Sequence, residues 1–425
     1  MKIGVIGSGI SGLVTAWTLQ TKHEVTLFEK NRNLGGHSNT VDIEIGSESH
    51  PVETGFIVLN DKNYPLFSSL LKHLDVGTNN SSMSFSVSVD KGAFEYSSSY
   101  IGLVSQTKNI IDPKYWKMLR DINYFYNNAL KDVRNSPENE TMGEFLNRFN
   151  YSKNFIDYHI LPMTASIWSC PRKSALSFPI KSLLTFFENH KLLNIYNRPT
   201  WSTVKNGSRE YVNKIERLLK GPVYKNTKIN KISKLKNSIK LHTSSGIEKF
   251  DEVVLANHAD QSYEMIKENF EEEGNLLKDF KYQKNSSILH SDVNFMPKRN
   301  SVWSSWNYIT ETGSSGNLSI TYWMNELQKI KSSMPILLSL NPKRLPNPDL
   351  IHGQYSYSHP VFDNTAIQIQ KNLHKIQGKN KIWFCGAWTG FGFHEDGIKS
   401  AAEIANYFNI QLPWLHSSEV LQVAQ

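Results

Sequence analysis

Gly7, Gly9 and Gly12 stand at the spacing of a turn that can hold phosphate, in the run Gly7-Ser8-Gly9-Ile10-Ser11-Gly12. Each glycine has a separate physical job. Gly7 permits a tight turn, Gly9 has no Cβ to keep a pyrophosphate off the backbone, and Gly12 lets a helix pack close to strands. A helix that starts in this turn points unpaired N–H groups and a positive dipole end at the anion. Glu29, twenty residues after Gly9, is placed to accept hydrogen bonds from ribose hydroxyls. Beyond Lys30 the pair Gly35-Gly36 lets backbone approach the second half of a long ligand, and His37 follows it. A glycine pair can equally be a plain β-turn.

The far end carries a second glycine-rich corner. Gly386-Ala387-Trp388-Thr389-Gly390-Phe391-Gly392-Phe393-His394-Glu395-Asp396-Gly397 lies between an apolar run and an alanine-rich one. Strand, turn and helix start again make an anion- or carbonyl-binding corner. The elements that must position these groups follow from the same pattern. Lys2–Ile6 and Val25–Phe28 read as strands around an apolar helix through Leu19, and Lys381–Cys385 reads as a strand before a helix over Ile398–Phe408. With strand, helix and acid in register, the first turn is a nucleotide site, whereas a lone GxGxxG would be weak.

Between the two ends the pattern alternates. Glu53–Val58 reads as a short strand, and Ser81–Val89 with Ala93–Tyr96 as a hairpin around Asp90-Lys91-Gly92. Helices are expected over Tyr64–Leu74, Pro113–Ala129, Thr141–Phe149, Ser152–Ile160 and Phe178–Leu193. Glu210–Leu219 follows as a helix, then Val223-Tyr224, Ile229–Leu241 and Asp251–Asn257 as strands. Ile288–Asn294, Ser301–Ile309 and Ser319–Trp323 alternate like a second sheet.

The GxGxxG turn with Glu29, the Gly35-Gly36 pair and the FCGAWTGFGFHEDGIKSAAEIA segment resemble the flavin-containing amine oxidase and phytoene desaturase superfamily. Ile167-Trp168-Ser169, Asn206–Val212, Thr321–Asn325 and Tyr357–Asp363 are similar to a bacterial group of FAD-binding oxidoreductases. That group also resembles the amino-terminal part of plant cyclopropane fatty acid synthases. The resemblance implies an α/β fold: a Rossmann-like FAD-binding domain with an interleaved α+β substrate domain. The FAD-binding domain would be discontinuous over 1–60, 200–285 and 365–412, the substrate or cap domain would take 61–199 and 286–364, and a tail 413–425.

It further implies non-covalent FAD held by Gly7, Ser8, Gly9, Ile10, Ser11, Gly12, Glu29, Lys30, Gly35, Gly36 and His37, with Thr54, Gly55, Phe56 and Ile57 beside the ring. Ile229, Ala256, Asn257, Gly386, Ala387, Trp388, Asp396, Gly397 and Ile398 complete the expected set, the last three giving backbone N–H groups and a helix dipole to the pyrimidine end. Ala387 stands where relatives often carry an acid, which would cost retention on the order of 1 kcal/mol. His37 stands where many relatives have Arg, and either bonds the cofactor or packs as a loop residue. His394 would lie next to the flavin and could shuttle a proton, or could bond backbone in a turn. Tyr355, Tyr357 and Phe362 could line the substrate cavity, with Tyr357 as second catalytic candidate; like Trp303, Trp306 and Tyr308 they could equally be core.

Composition bounds the rest. The 425 residues suffice for two cores, and the net charge of +8 comes from lysines scattered among Asn, Ser and Ile. No basic stripe with interleaved aromatics suggests nucleic acid, while a mild positive field leaves peripheral contact with an anionic membrane open. Cys170 and Cys385 give neither a disulfide framework nor metal spacing, and Cys385 reads as packing. A first strand at residue 2 leaves no room for a cleaved leader, and no apolar run approaches a membrane span, so a cytoplasmic location is expected. The expected activity is hydride removal from a hydrophobic small molecule or lipid, with an unknown electron acceptor. Lipid double-bond isomerisation, amine oxidation and a flavin-free escort role remain as alternatives.

Overall fold

The computed structural model describes residues 1–168, 170–194, 198–311 and 319–415. Ser169 of the Ile167-Trp168-Ser169 segment and residues 416–425 of the expected tail lie outside them. A parallel five-stranded sheet carries the glycine turn, in the order Ile382–Phe384, Glu252–Leu255, Lys2–Ile6, Glu24–Phe28, Val223–Tyr224. Its central strands are near-continuous apolar runs because both faces are covered. Val5 pairs with both Val254 and Leu27. The helix Ile10–Leu19 is entirely buried, packed against the carboxy-terminal helix His394–Tyr407. Contact that close needs glycine: a Cβ on Gly397 would sit 2.8 Å from Ile10 Cγ2 and from Ser11 Oγ.

A second, mostly antiparallel sheet of seven strands is built from Phe85–Val89, Phe94–Ser97, Tyr282–His290, Trp306–Thr310, Ser319–Trp323, Leu337–Leu340 and Ile351–Pro360. Its register pairs Ser287 with both Tyr355 and Leu340, Leu338 with Tyr322, and Tyr322 with Trp306. Directly paired residues share a face, so these side chains form one continuous floor. Four interstrand spacings separate the strand of Tyr355 from that of Trp306, a span of roughly 19 Å. Helices Pro113–Asp132, Met142–Arg148, Leu161–Trp168 and Ile180–Asn189 pack apolar faces into the same core.

Several expectations shift. The strand expected over Glu53–Val58 ends at Glu53, where it pairs back on Thr40–Ile45, and residues 54–58 run on as loop. Long-range bonds hold that loop instead: Thr54 N–H to Asn39 O at 3.0 Å and Phe56 N–H to His37 O at 2.8 Å. The helix expected over Ser152–Ile160 passes through a π turn at Ile156–Ile160 and continues to Trp168. The last helix starts at His394, four residues before Ile398.

Candidate functional site

Both glycine-rich corners open into one cavity of about 1420 Å³. Its wall takes residues from Gly7–Ser11 at one end of the chain and Gly386–Trp388 with Phe391–His394 at the other. Single-ligand pockets usually stay below roughly 1,000 Å³, so this one has room for a cofactor and a substrate together.

The glycine turn has the shape that a pyrophosphate needs. Gly7 sits at φ +102°, and a Cβ there would come 2.7 Å from Ala256 O. Gly12 is tighter, its Cβ falling 1.9 Å from Gly7 O. Gly9 is the opposite case: a Cβ there would meet nothing within 4 Å, so it faces open space. Gly35 N–H donates to Ser8 O at 2.9 Å, which ties the second glycine pair onto the first turn. Glu29 is buried at the end of its strand and accepts from Ser8 N–H at 3.0 Å, Ser8 Oγ at 2.6 Å and Asn31 N–H at 2.9 Å. A carboxylate has about four acceptor positions, so one remains for a ribose hydroxyl. Two further polar atoms on the wall, His37 Nε2 and Asn257 Nδ2, are buried with no partner in the protein. An open cradle, an anchored acid and orphaned polar atoms all fit FAD.

Most of the expected residues reach this cavity: Gly7, Ser8, Gly9, Ile10, Ser11, Glu29, Lys30, Gly35, Gly36, His37, Thr54, Gly55, Phe56, Ile57, Ile229, Ala256, Asn257, Gly386, Ala387, Trp388, His394 and Tyr357. Four do not. Gly12 is spent on helix packing. Because the last helix begins at His394, Asp396, Gly397 and Ile398 lie inside it and turn away from the cavity. The Asp396 carboxylate accepts from Phe391 N–H at 3.1 Å and Phe393 N–H at 3.0 Å, so it shapes the glycine corner. Gly397 gives room to Ile10 and Ser11, and Ile398 is core.

His394 is buried, its ring stacked on Phe56 and its Nε2 shared between Ser38 Oγ at 3.0 Å and Tyr211 Oη at 2.9 Å. Burial drives its pKa down to about 3. The ring is therefore neutral at ordinary pH. Tyr357 Oη is held by Thr54 Oγ1 at 2.7 Å and Asn39 Nδ2 at 3.0 Å, and its ring lies 5.1 Å from that of His37. Tyr355 and Phe362 line the cavity, as does Trp306. Trp303 and Tyr308 do not: Trp303 Nε1 donates to Pro297 O at 2.8 Å and Tyr308 is core. Cys385 is buried beside Thr15, off the cavity wall, with its thiol pushed up to about 12 by burial.

Among the wall residues that the sequence did not announce are two histidines close to His37. His258 and His359 stand 5.9 Å and 5.3 Å from the His37 ring, centroid to centroid. Burial lowers His37 to about 4 and His258 and His359 to about 3. For the last two, the neighbouring imidazoles push the same way. The alternation Tyr355, Tyr357, His359 along one strand was the signal for His359. No group of His, Cys, Asp and Glu among the described residues could hold a metal ion.

The family model described as flavin containing amine oxidoreductase matches residues 10–293. Similar solved structures show the same fold at low identity. A CLA-producing fatty acid isomerase from P. acnes is 13% identical at a TM-score of 0.67, covering 96% of this chain and 98% of that one. A putative protoporphyrinogen oxidase from Exiguobacterium sp. 255-15 is 12% identical at 0.67, with coverage of 96% and 98%. Cyclohexylamine oxidase from Brevibacterium oxydans IH-35A is 13% identical at 0.65, with 96% and 99%. Among curated sequences, 4,4'-diapophytoene desaturase of Staphylococcus aureus (strain Newman) is 55% identical over 40 residues, only 9% of this chain and 8% of the relative. A cradle built for a dinucleotide and a family match over most of the chain agree, and the chain belongs to the flavin-containing amine oxidoreductases as an FAD-dependent oxidoreductase.

Proposed function

We propose that the protein takes hydride from an uncharged, apolar substrate, a fatty-acyl or other lipid chain. The observation that carries this is where charge stands on the cavity wall. Glu29, Lys30, Arg32, Lys228, Asp260, Glu264 and Lys278 all come from the nucleotide-binding side. The far lobe is lined by Met83, Ile167, Trp168, Trp306, Leu338 and Leu340, with no Asp, Glu, Lys or Arg among its described residues. An ammonium or free carboxylate would enter that lobe without a counter-charge, at several kcal/mol. The resemblance to the amino-terminal part of cyclopropane fatty acid synthases supports an acyl chain.

Bound FAD supplies the hydride acceptor. The protein's task is then to orient, to keep water out and to take the second hydrogen as a proton. Tyr357, fixed by Thr54 and Asn39, orients the end of the substrate nearest the cofactor. His37, neutral and with Nε2 unpartnered, is the group that accepts the proton.

The test is anaerobic mixing of the holoprotein with neutral acyl lipids, free fatty acids and an amine panel, followed by the visible flavin band. Bleaching by neutral acyl lipids is the expected result. Bleaching by amines alone would overturn the substrate class. Double-bond migration in the lipid without net bleaching or any acceptor would replace net oxidation by isomerisation at the same cavity.

A further inference from the structure

The stretch from Tyr100 to Arg120 holds apolar side chains out in solvent. Ile101 is 70% exposed, Ile111 82% and Trp116 55%. Tyr100, Ile101 and Val104 share one side of the short helix Tyr100–Val104, at helical spacings of three and four. Trp116 Nε1 donates to Ile110 O at 2.7 Å, which fixes the indole beside Ile110 and Ile111.

This stretch is firmly attached from beneath. Gln106 Nε2 donates to Ala93 O at 3.0 Å, Asn109 Nδ2 to Glu95 O at 2.9 Å and Tyr115 Oη to Leu103 O at 2.9 Å. The apolar side chains are therefore presented on an anchored platform, and a patch of this kind marks an interaction site.

Charge says what covers it. Lys108, Lys114, Lys117 and Arg120 are exposed among these apolar groups. Of the nearby acids, Asp112 caps its helix by accepting from Lys114 N–H at 2.9 Å, and the buried Asp121 accepts from Ser152 N–H at 2.9 Å and from Lys117 Nζ at 3.4 Å, which leaves Lys108, Lys114 and Arg120 as the basic rim. Aliphatic groups, an indole and a one-sided basic rim match the interface of an anionic bilayer. We infer that residues 100–120 form the face by which the protein docks on an anionic lipid bilayer. No described helix is long and apolar enough to cross a membrane, so the contact is peripheral. The choice of a bilayer rests on the lipid reading of the cavity, but its test reads binding and not turnover, so either can fail alone.

Flotation of the FAD-loaded protein with vesicles of phosphatidylcholine alone, or mixed with phosphatidylglycerol, decides the matter. Binding to the mixed vesicles is expected to fall about tenfold in Ile101→Ser/Ile111→Ser and in Lys108→Glu/Lys114→Glu. Leu345→Ser, which alters an exposed leucine outside the stretch, is expected to bind like wild type. The proposal is overturned if wild type stays unbound to anionic vesicles, or if the Ile101/Ile111 variant binds as well as wild type. A dimer in sedimentation equilibrium that the same variant breaks would assign the face to a second copy and also overturn it.

Discussion

The imidazole of His394 lies on the ring of Phe56, with centroids 3.7 Å apart and planes at 21°. One residue belongs to the loop that follows the hairpin of Thr40–Ile45 and Glu48–Glu53, the other starts the last helix, so this contact closes the cavity between distant parts of the chain. A charged ring would be out of place there, and the pH dependence of stability follows.

Seven largely buried histidines have their pKa lowered to about 3 or 4 by burial: His37, His159, His190, His258, His290, His359 and His394. Each takes a proton in the unfolded chain near 6.5 but not in the fold, so stability is lost as pH falls from there toward 4. Glu53 and Glu395, raised to about 7, and Asp396, raised to about 6, act oppositely, since the fold holds their protons at pH values where the unfolded chain has released them. Each uncompensated group is worth about 1.4 kcal/mol per pH unit. The histidines outnumber the carboxylates, so the unfolding temperature is expected to be lower at pH 5 than at pH 7. A flat or rising profile by differential scanning calorimetry would contradict this balance.

Gly9 and Gly12 separate cofactor binding from folding inside one motif. Gly9 has φ −62° and open space where a Cβ would go, so Gly9→Ala should fold with nearly wild-type stability. The new methyl then occupies the phosphate's room, and FAD affinity is expected to fall at least about tenfold, or 1.4 kcal/mol. Gly12→Ala drives a methyl into the Gly7 carbonyl and should destabilise the apoprotein by about 3 kcal/mol or more. Flavin titration beside urea unfolding of both variants checks the division.

Glu395 reaches across to another helix. It accepts from Leu66 N–H at 3.1 Å and Phe67 N–H at 3.0 Å, capping Pro65–His73 through a carboxylate from the last helix. Removing it in Glu395→Ala leaves buried N–H groups unpaired, and a loss of about 2 kcal/mol is expected. Glu395→Gln keeps an acceptor and should lose less than half of that in the same denaturant titration.

What could be read from the sequence was local. Lys2–Ile6, the helix after it and the hairpin Phe85–Ser97 announce themselves by period and by glycine turns within a few residues of each other. Leu337–Leu340 and Ile351–Pro360 do not, because both pair with the distant strand Tyr282–His290 and the latter strand carries Ser, His and Gln among its tyrosines. Gly397 looked like a boundary, so the last helix was expected to begin after it. Its missing side chain instead serves contact with Ile10 and Ser11 inside the helix. The inward roles of Asp396 and Glu395 depend on that same offset, which only the packed structure settles.

Trp306 tests the far lobe of the cavity. Its Nε1 is buried without a partner on the wall, four strand spacings from Tyr355, and none of the strand residues lining that floor is a cation. An unpaired N–H in an apolar lobe can hold an uncharged acceptor such as an ester carbonyl, whereas a carboxylate would want a cation. Trp306→Phe removes the donor and keeps most of the apolar surface. It should leave FAD binding unchanged and raise KM for a neutral acyl ester by about three- to tenfold, the worth of one neutral hydrogen bond. For a hydrocarbon of equal length the same substitution should be nearly silent. Equal losses on both substrates would mean that the indole contributes shape alone and that the polar end of the substrate lies elsewhere.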